Sequence, residues 1–413
     1  MSARVVITGM GTVNPLGLGV GETWDQLLRG ASGVGPITLF DAADLLVQIV
    51  CEVKGFDPAG FMEAREARRR DRFEQFASAC AREAIAQAGF EVRDDERRRV
   101  AVIVSSAVGG LASMQEAVTT MLGEGPRRIS PFAIPMLMSN GAAGMLAIDY
   151  GLRGPTFSVA SACASGADAI GQAWHLIRAG VVDAALAGAS EATITRMGVA
   201  AFDRLGALSR RNDHPEATPA PFDRNRDGLV MGEGAAILVL ERLERAQARG
   251  AGILAEIAGY AATADAYHIT APAEDGVGGA AAISGALQSA GVRGDEVDYI
   301  NAHGTGTQLN DVSETRAIKA ALGEQAYHIP VSSTKSMTGH MMGATGALEA
   351  IFCVKAIRSG IIPPTIHYQN PDPECDLDCV PNQARERRVR VALSNAFGFG
   401  GHNAVLVLRE FVD

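Results

Sequence analysis

Cys163 stands in Phe157-Ser-Val-Ala-Ser-Ala-Cys-Ala-Ser-Gly166, between a strand-like run and a Gly- and Ala-rich helical pattern. A thiol at that junction lies over the positive end of a helix, which predicts a lowered pKa and more thiolate. Its small neighbours leave room for a substrate, although the same context suits a small buried core residue. His303 opens His303-Gly-Thr-Gly-Thr307 after a short strand, where the glycines leave the ring accessible. A structural His capping the strand reads as well from this context alone. Lys335 and His340 share the loop Ser332-Ser-Thr-Lys-Ser-Met-Thr-Gly-His340. Only four of the 37 basic residues are Lys, so a Lys kept beside a His in so Arg-rich a chain suggests a compact ammonium that a guanidinium could not replace. Two His and a Lys around one Cys suit acyl chemistry on a thioester: the thiol holds the acyl group and the imidazoles polarise a carbonyl. The Gly-rich turn Asn395-Ala-Phe-Gly-Phe-Gly-Gly-His402 offers backbone N–H groups for an oxyanion hole.

Three other patterns carry less. Gly9-Met-Gly11 has Asn14 where a dinucleotide fingerprint needs its third Gly. Asp223-Arg-Asn-Arg-Asp-Gly228 starts like a calcium loop, but its twelfth position is Gly234, so a turn bridged by Asp and Arg is the better reading. Cys375 and Cys379 lack a second ligand pair, and the six Cys have no framework spacing, which fits thiols in a reducing compartment.

The elements that must position these groups emerge when the chain is compared with itself. Residues 164–182 match 344–362 at an offset of 180, and both read as close-packed helices ended by Gly. Residues 232–240 match 400–408, both strand-like after a Gly-rich turn, and residues 84–89 match 286–291 before further strands. We therefore expect two related α/β halves, 1–250 carrying the Cys with inserted cap or dimer segments, and 251–413 carrying the two His. Alternating strands and helices predict a largely parallel sheet with reactive groups at its strand ends. The loop of Lys335 and His340 is then the counterpart of the Cys163 loop.

The chain has 413 residues, 47% of them hydrophobic and 20% charged, which excludes disorder and allows a large core. A net charge of −10 argues against a general nucleic-acid binder. No run approaches the ~20 apolar residues that span a bilayer, and no secretory pattern precedes the first strand, so a cytoplasmic location is expected.

Taken together, Val5-Val-Ile-Thr-Gly-Met-Gly11, Ser161-Ala-Cys-Ala-Ser-Gly166, Pro221-Phe-Asp-Arg-Asn-Arg-Asp-Gly228, His303-Gly-Thr-Gly-Thr307, Lys335-Ser-Met-Thr-Gly-His340 and Asn395-Ala-Phe-Gly-Phe-Gly-Gly401 resemble the beta-ketoacyl-[acyl-carrier-protein] synthases. Within these thiolase-fold condensing enzymes the likeness is to the type II elongating synthases, and it covers essentially the whole chain. It implies an α/β fold of duplicated α-β-α-β-α layers. It also implies that Cys163 is acylated, that His303 and His340 bind the malonyl thioester carbonyl and stabilise the enolate left by decarboxylation, and that Lys335 sets the electrostatics of His340. Glu314 would support the site. The N–H groups of Cys163 and Phe399 would form the oxyanion hole, with Phe399 as a gate and Val108 in the acyl pocket. Substrates would arrive on the phosphopantetheine of acyl carrier protein, and neither metal nor nicotinamide is called for.

Acyl carrier proteins are acidic, so on an acidic enzyme a local basic patch must dominate. The resemblance points to Arg65, Arg68, Arg69 and Arg70, expected on a helix, and to Arg127 and Arg128 in a loop. Glu63 and Glu66 at helical spacing allow a merely solvated face instead. A homodimer is expected. The alternatives are a polyketide or polyene ketosynthase paired with a chain-length-factor homologue, and, in a different class, a noncatalytic partner subunit.

Overall fold

Apolar runs rich in Val, Ile, Leu and Ala form strands buried on both faces, and the Ala- and Gly-rich segments between them form helices. The computed structural model describes residues 3–412. The elements that frame the site begin with β1 (Val5–Val13), α1 (Arg72–Ala88), β2 (Val100–Ser105), α2 (Leu111–Glu124), α3 (Gly141–Tyr150) and β3 (Thr156–Phe157). There follow α4 (Ser165–Arg178), β4 (Ala184–Glu191), α5 (Arg196–Arg204), β5 (Gly234–Arg242) and β6 (Ala255–Ala264). The remainder are α6 (Val277–Ala290), β7 (Tyr299–Asn301), α7 (Gln308–Leu322), β8 (Val331–Ser332), α8 (Thr345–Ser359), β9 (Val391–Gly398) and β10 (His402–Arg409).

These strands form one sheet in the order β8-β7-β9-β10-β6-β1-β5-β4-β2-β3. Outward from the β6–β1 pair, each direction shows two antiparallel pairings followed by two parallel ones. The sheet is therefore mixed, which corrects the expectation of a largely parallel one. β5 runs back beside β4, β10 runs back beside β9, and β1 meets β6 head to tail; none of these pairs is a βαβ crossover.

Side chains alternate along the strands and so divide the core into layers. Ala101 and Ile103 of β2 and Ala236, Leu238 and Leu240 of β5 join α4 and α8 in a central cluster, with Leu406 and Leu408 of β10 on its far side. Val100, Val102 and Val104 point the other way, onto α1 and α3. Val405 and Val407 pack outward on α6 and α7. The result is the α-β-α-β-α layering. The three self-matches fall on elements of one kind each: the ends of α1 and α6, the helices α4 and α8, and the strands β5 and β10. Where α4 crosses α8, a Cβ on Gly166 would lie 2.7 Å from the Gly343 carbonyl oxygen, and one on Gly346 would lie 3.0 Å from Ala167 N.

The weaker patterns also find structural work. A Cβ on Gly9 would stand 2.1 Å from Ala84 O, and one on Gly11 2.0 Å from Cys80 O, so these glycines admit α1 against β1. Asp223 accepts the N–H groups of Gln369 and Asn370 at 2.6 Å, and Arg226 pairs with Asp372, which makes that segment a bridged turn. All six Cys are free and buried.

Candidate active site

Cys163 lies in the single turn Ala162–Ala164 that leads into α4, and is only 8% exposed. Ser161 and Tyr260 both donate to Asp168 on the first turn of α4, and Ser161 N donates to Ser165 Oγ at 2.9 Å. These bonds fix the turn from both sides. Burial pushes the thiol up to about 11, against the opposing pulls of the Lys335 ammonium and the Phe399 backbone N–H. The lowered value expected from the helix end is thus corrected: desolvation outweighs the dipole.

His303 follows β7, and its loop is held by the Glu314 carboxylate of α7. Glu314 accepts the N–H groups of His303 and Gly304 at 2.7 Å and the Asn395 amide at 3.1 Å, so it joins the His303 loop to β9. His340 ends the Lys335 loop, and its Nδ1 lies 3.0 Å from Thr345 Oγ1 at the start of α8. The two imidazoles meet edge to face, with centroids 5.3 Å apart at 83°. Burial first, and the Lys335 charge second, hold both rings well below the ordinary His value. Both are therefore neutral at pH 7.

Lys335 is 1% exposed, and its Nζ donates to Glu349 Oε1 at 2.7 Å. Burial pushes Glu349 up to about 7, with Lys335 pulling it down. Lys335 stands behind the cavity, whereas Cys163, His303, His340, Phe397 and Phe399 line it. The interior holds about 70 Å³, and the Phe399 ring stacks on Phe202 at 6.5 Å across it. A Cβ on Gly398 would come within 2.9 Å of Cys163 N, so the Gly-rich turn presses directly on the nucleophile turn.

Val108 is not among the lining residues; it is 42% exposed on the loop after β2, on the side of α2. Arg65 and Arg68 are exposed at a helical turn of only four residues, Ala64–Ala67. Arg69 is half-buried between Glu66 and the Phe132 ring. Arg70 is buried, pairs with Asp149 at 2.6 Å and donates to Ser78, which removes it from the exposed basic cluster. Arg127 and Arg128 are exposed, with Arg128 near Glu124 at 3.4 Å. Among the described residues no helix is long and apolar enough to cross a membrane.

The sequence reading missed Glu349, Asp168, Tyr260 and Glu191. Three carried a signal, since Glu349 and Asp168 interrupt apolar helices and Glu191 ends the apolar strand β4, whereas Tyr260, an aromatic within β6, carried none.

Comparison with known proteins gives a consistent picture. The profile described as "Beta-ketoacyl synthase, N-terminal domain" matches residues 2–246, and "Beta-ketoacyl synthase, C-terminal domain" matches 254–369. The chain is 49% identical over 408 residues to "3-oxoacyl-[acyl-carrier-protein] synthase 2" of Synechocystis sp., covering 99% of this chain and 98% of the relative. Among solved structures, "The ishigamide ketosynthase/chain length factor" superposes with TM-score 0.93 at 39% identity over 100% of both chains. A type II polyketide ketosynthase in complex with its acyl-carrier protein follows at TM-score 0.92 and 37% identity, again over 100% of both chains.

Proposed function

Because the chain belongs to the beta-ketoacyl synthase family, we propose that its cavity carries out the family's condensation with Cys163 as the acylated residue. The enzyme is an acyltransferase that joins an acyl group to malonyl-acyl carrier protein and yields 3-ketoacyl-acyl carrier protein, the elongation step of fatty acid synthesis. The observation that carries the residue assignment is one enclosed thiol sharing a cavity with two neutral imidazoles beneath the Phe399 turn.

In the first half-reaction the Cys163 sulfur attacks the acyl thioester. The N–H groups of Cys163 and Phe399 hold the oxyanion, and the carrier thiol leaves with the proton. A thiol at about 11 is mostly protonated at pH 7, so its proton is lost as the carbon–sulfur bond forms. In the second, the malonyl carboxylate leaves as carbon dioxide, and His303 and His340 donate to the thioester oxygen as the enolate forms. A neutral ring still has one N–H to give, and it stabilises the enolate oxygen by that hydrogen bond without handing over its proton. The enolate carbon attacks the acyl carbonyl, the new carbon–carbon bond forms as the bond to Cys163 sulfur breaks, and the thiolate takes up a proton from water in place of the one that left with the carrier thiol. Lys335, through Glu349, keeps a positive charge behind both rings, and Glu314 holds the His303 loop. The pantetheine arm belongs to the carrier-bound substrate.

Residues 1–250 and 251–413 act as two related halves of one catalytic unit. The partners are acyl carrier protein, docking on Arg65, Arg68, Arg69, Arg127 and Arg128, and a second copy of the chain, as a homodimer in the cytoplasm. An exposed apolar set on α2 and beyond it, including Met114, Val118, Met121, Leu122 and Ile134, supports the dimer. Val108 borders that face, so the acyl pocket is completed there by the second copy. The polyketide alternative, a heterodimer with a chain-length-factor homologue, is favoured only by the solved ketosynthase complexes at lower identity. Mass spectrometry after incubation with an acyl carrier protein bearing a medium acyl chain tests the assignment: an acylated Cys163 peptide is expected, and an unmodified one overturns it.

A further inference from the structure

Glu191, the last residue of β4, is fully buried although it is charged by type. Four donors surround its carboxyl group. Ser106 Oγ reaches Oε1 at 2.6 Å and Val108 N reaches it at 3.4 Å, while Ala107 N and Gly343 N reach Oε2 at 2.9 and 3.0 Å. Three of the four are main-chain N–H groups, so this side chain fixes where two backbones run. One backbone is the loop after β2. The other is the turn Met342–Ala344, which lies between His340 and its partner Thr345.

That turn does not hold its shape by itself. Met342 has φ +45°, a left-handed conformation that a residue with a side chain adopts only when its surroundings impose it. A Cβ on Gly343 would lie 2.8 Å from both Ala107 N and Glu191 Oε2, so the approach is as close as glycine allows. On the other side, His340 is tied by its own N–H to Val230 O and by its carbonyl to Gly232 N, both at 2.8 Å. The His340 segment is thus gripped between the strand-leading segment 230–232 and the Glu191 carboxylate.

We propose that Glu191 is a positioning residue for His340, clamping the Met342–Ala344 turn to the Ser106–Val108 loop so that the imidazole stays at the angle decarboxylation needs. The inference rests on the reaction assigned above. It makes a distinction within that reaction, because Glu191 hydrogen-bonds the His340 segment and not the Cys163 turn, which Asp168 and Tyr260 fix, and the Glu191 charge only raises the Cys163 thiol, so losing it does not slow acylation. Loosening the clamp should therefore affect the malonyl half-reaction and spare acyl transfer.

The Glu191→Gln variant keeps the length of the side chain, but its amide NH2 must face N–H groups that now meet a carboxylate oxygen. Two rates are measured on the full-length protein: acylation of Cys163 by mass spectrometry, and carbon dioxide release from malonyl carrier protein. We expect E191Q to lower kcat for decarboxylation by about tenfold to a hundredfold, the scale of a misplacement near 1 Å. Its KM for malonyl carrier protein should stay within about twofold of wild type, and its acylation rate should not fall, since the lost charge is one that raises the Cys163 thiol. Equal loss of both half-reactions, or no loss in either, overturns the proposal. Should E191Q fail to fold, Ser106→Ala decides, since it removes one donor from Oε1 and the acceptor of Gly109 N–H but leaves the three main-chain donors to Glu191 in place: a selective fall in decarboxylation of about threefold is expected, and an unselective or absent effect refutes it. A wild-type enzyme that shows neither half-reaction would instead refute the assigned reaction.

Discussion

Replacing Lys335 by Met should strand Glu349 in the core. The two groups pair at 2.7 Å with about 1% of each side chain exposed. Removing one partner of such a pair costs about 3–5 kcal/mol, whereas exchanging both for apolar residues of similar volume is neutral or stabilising by about 1–4 kcal/mol. Glu349 avoids part of the penalty by taking up a proton. Its carboxyl already lies at about 7 while Lys335 pulls it down, so without the ammonium it lies higher and is neutral at pH 7. The expected loss for K335M at pH 7 is therefore at the low end, about 3 kcal/mol, and K335M/E349M should recover most of it. The sign of the pH dependence follows. An acid raised above its unfolded value of 4.5 contributes stability that is lost as pH rises through its folded value. With that folded value higher in K335M than in wild type, both proteins lose stability in parallel as pH rises toward 7, and the deficit stays nearly constant there. Above pH 7 the wild-type carboxyl is already ionised, so the deficit widens by up to about 1.4 kcal/mol per pH unit until the shifted carboxyl ionises too.

Activity should part company with stability in this cycle. Both single variants and the double variant lack either the buried ammonium or its anchor, and the ammonium is the positive charge behind His303 and His340. Losing preorganised charge near a developing enolate costs on the order of a hundredfold in rate, so K335M/E349M should fold well and condense poorly. Urea unfolding at pH 5, 7 and 8.5, paired with the decarboxylation assay, reads both quantities. A double variant as unstable as K335M would refute the buried-pair reasoning. A double variant of wild-type activity would refute the electrostatic role.

Alkylation of Cys163 by iodoacetamide should accelerate about tenfold per pH unit from pH 7 to 10, since a thiol at about 11 offers little thiolate below that range; a plateau below pH 8 in the mass-spectrometric rate would contradict it. Reversing Arg68 should raise KM for carrier-bound substrates more than reversing Arg69, whose guanidinium is already shared between Glu66 and the Phe132 ring, with kcat unchanged in both. Steady-state kinetics giving an unchanged KM for R68E would reject docking at this turn.

Much of the site was legible because its parts are small, local and chemically marked. The Cys163 turn, the glycines after His303 and the rarity of Lys are all visible in short windows. The thiol's pKa was not, because its burial depends on the Phe399 turn, which arrives from the far end of the chain. Glu349 and Glu191 look like interruptions of apolar runs until the fold supplies Lys335 to one and four donors to the other. Arg70 is indistinguishable from Arg68 and Arg69 in sequence, and only Asp149 and Ser78 separate it from them. A sheet covered by helices could be read from alternating strands and helices, and the layers from the family resemblance, but strand direction could not, since an apolar run carries no mark of which neighbour it will pair with.

The duplication explains why this chemistry needs both halves. Cys163 and Gly343 stand at equivalent places, 180 residues apart, each in a single turn leading into a central helix. The preceding residues, Ala162 and Met342, share the left-handed conformation at φ +49° and +45°. The same backbone device thus occurs twice, and the side chain that follows decides its use. In the first half it presents a thiol to the cavity. In the second it is a glycine, and the space so freed lets the turn come within hydrogen-bond reach of Glu191. The crossing of α4 and α8 at Gly166 and Gly346 then sets the separation of the two turns, since a Cβ on Gly346 would already stand 3.0 Å from Ala167 N and one on Gly166 2.7 Å from the Gly343 carbonyl oxygen. Equivalence of backbone brings nucleophile and imidazole to one place, and the difference at a single position lets one turn react while the other only holds.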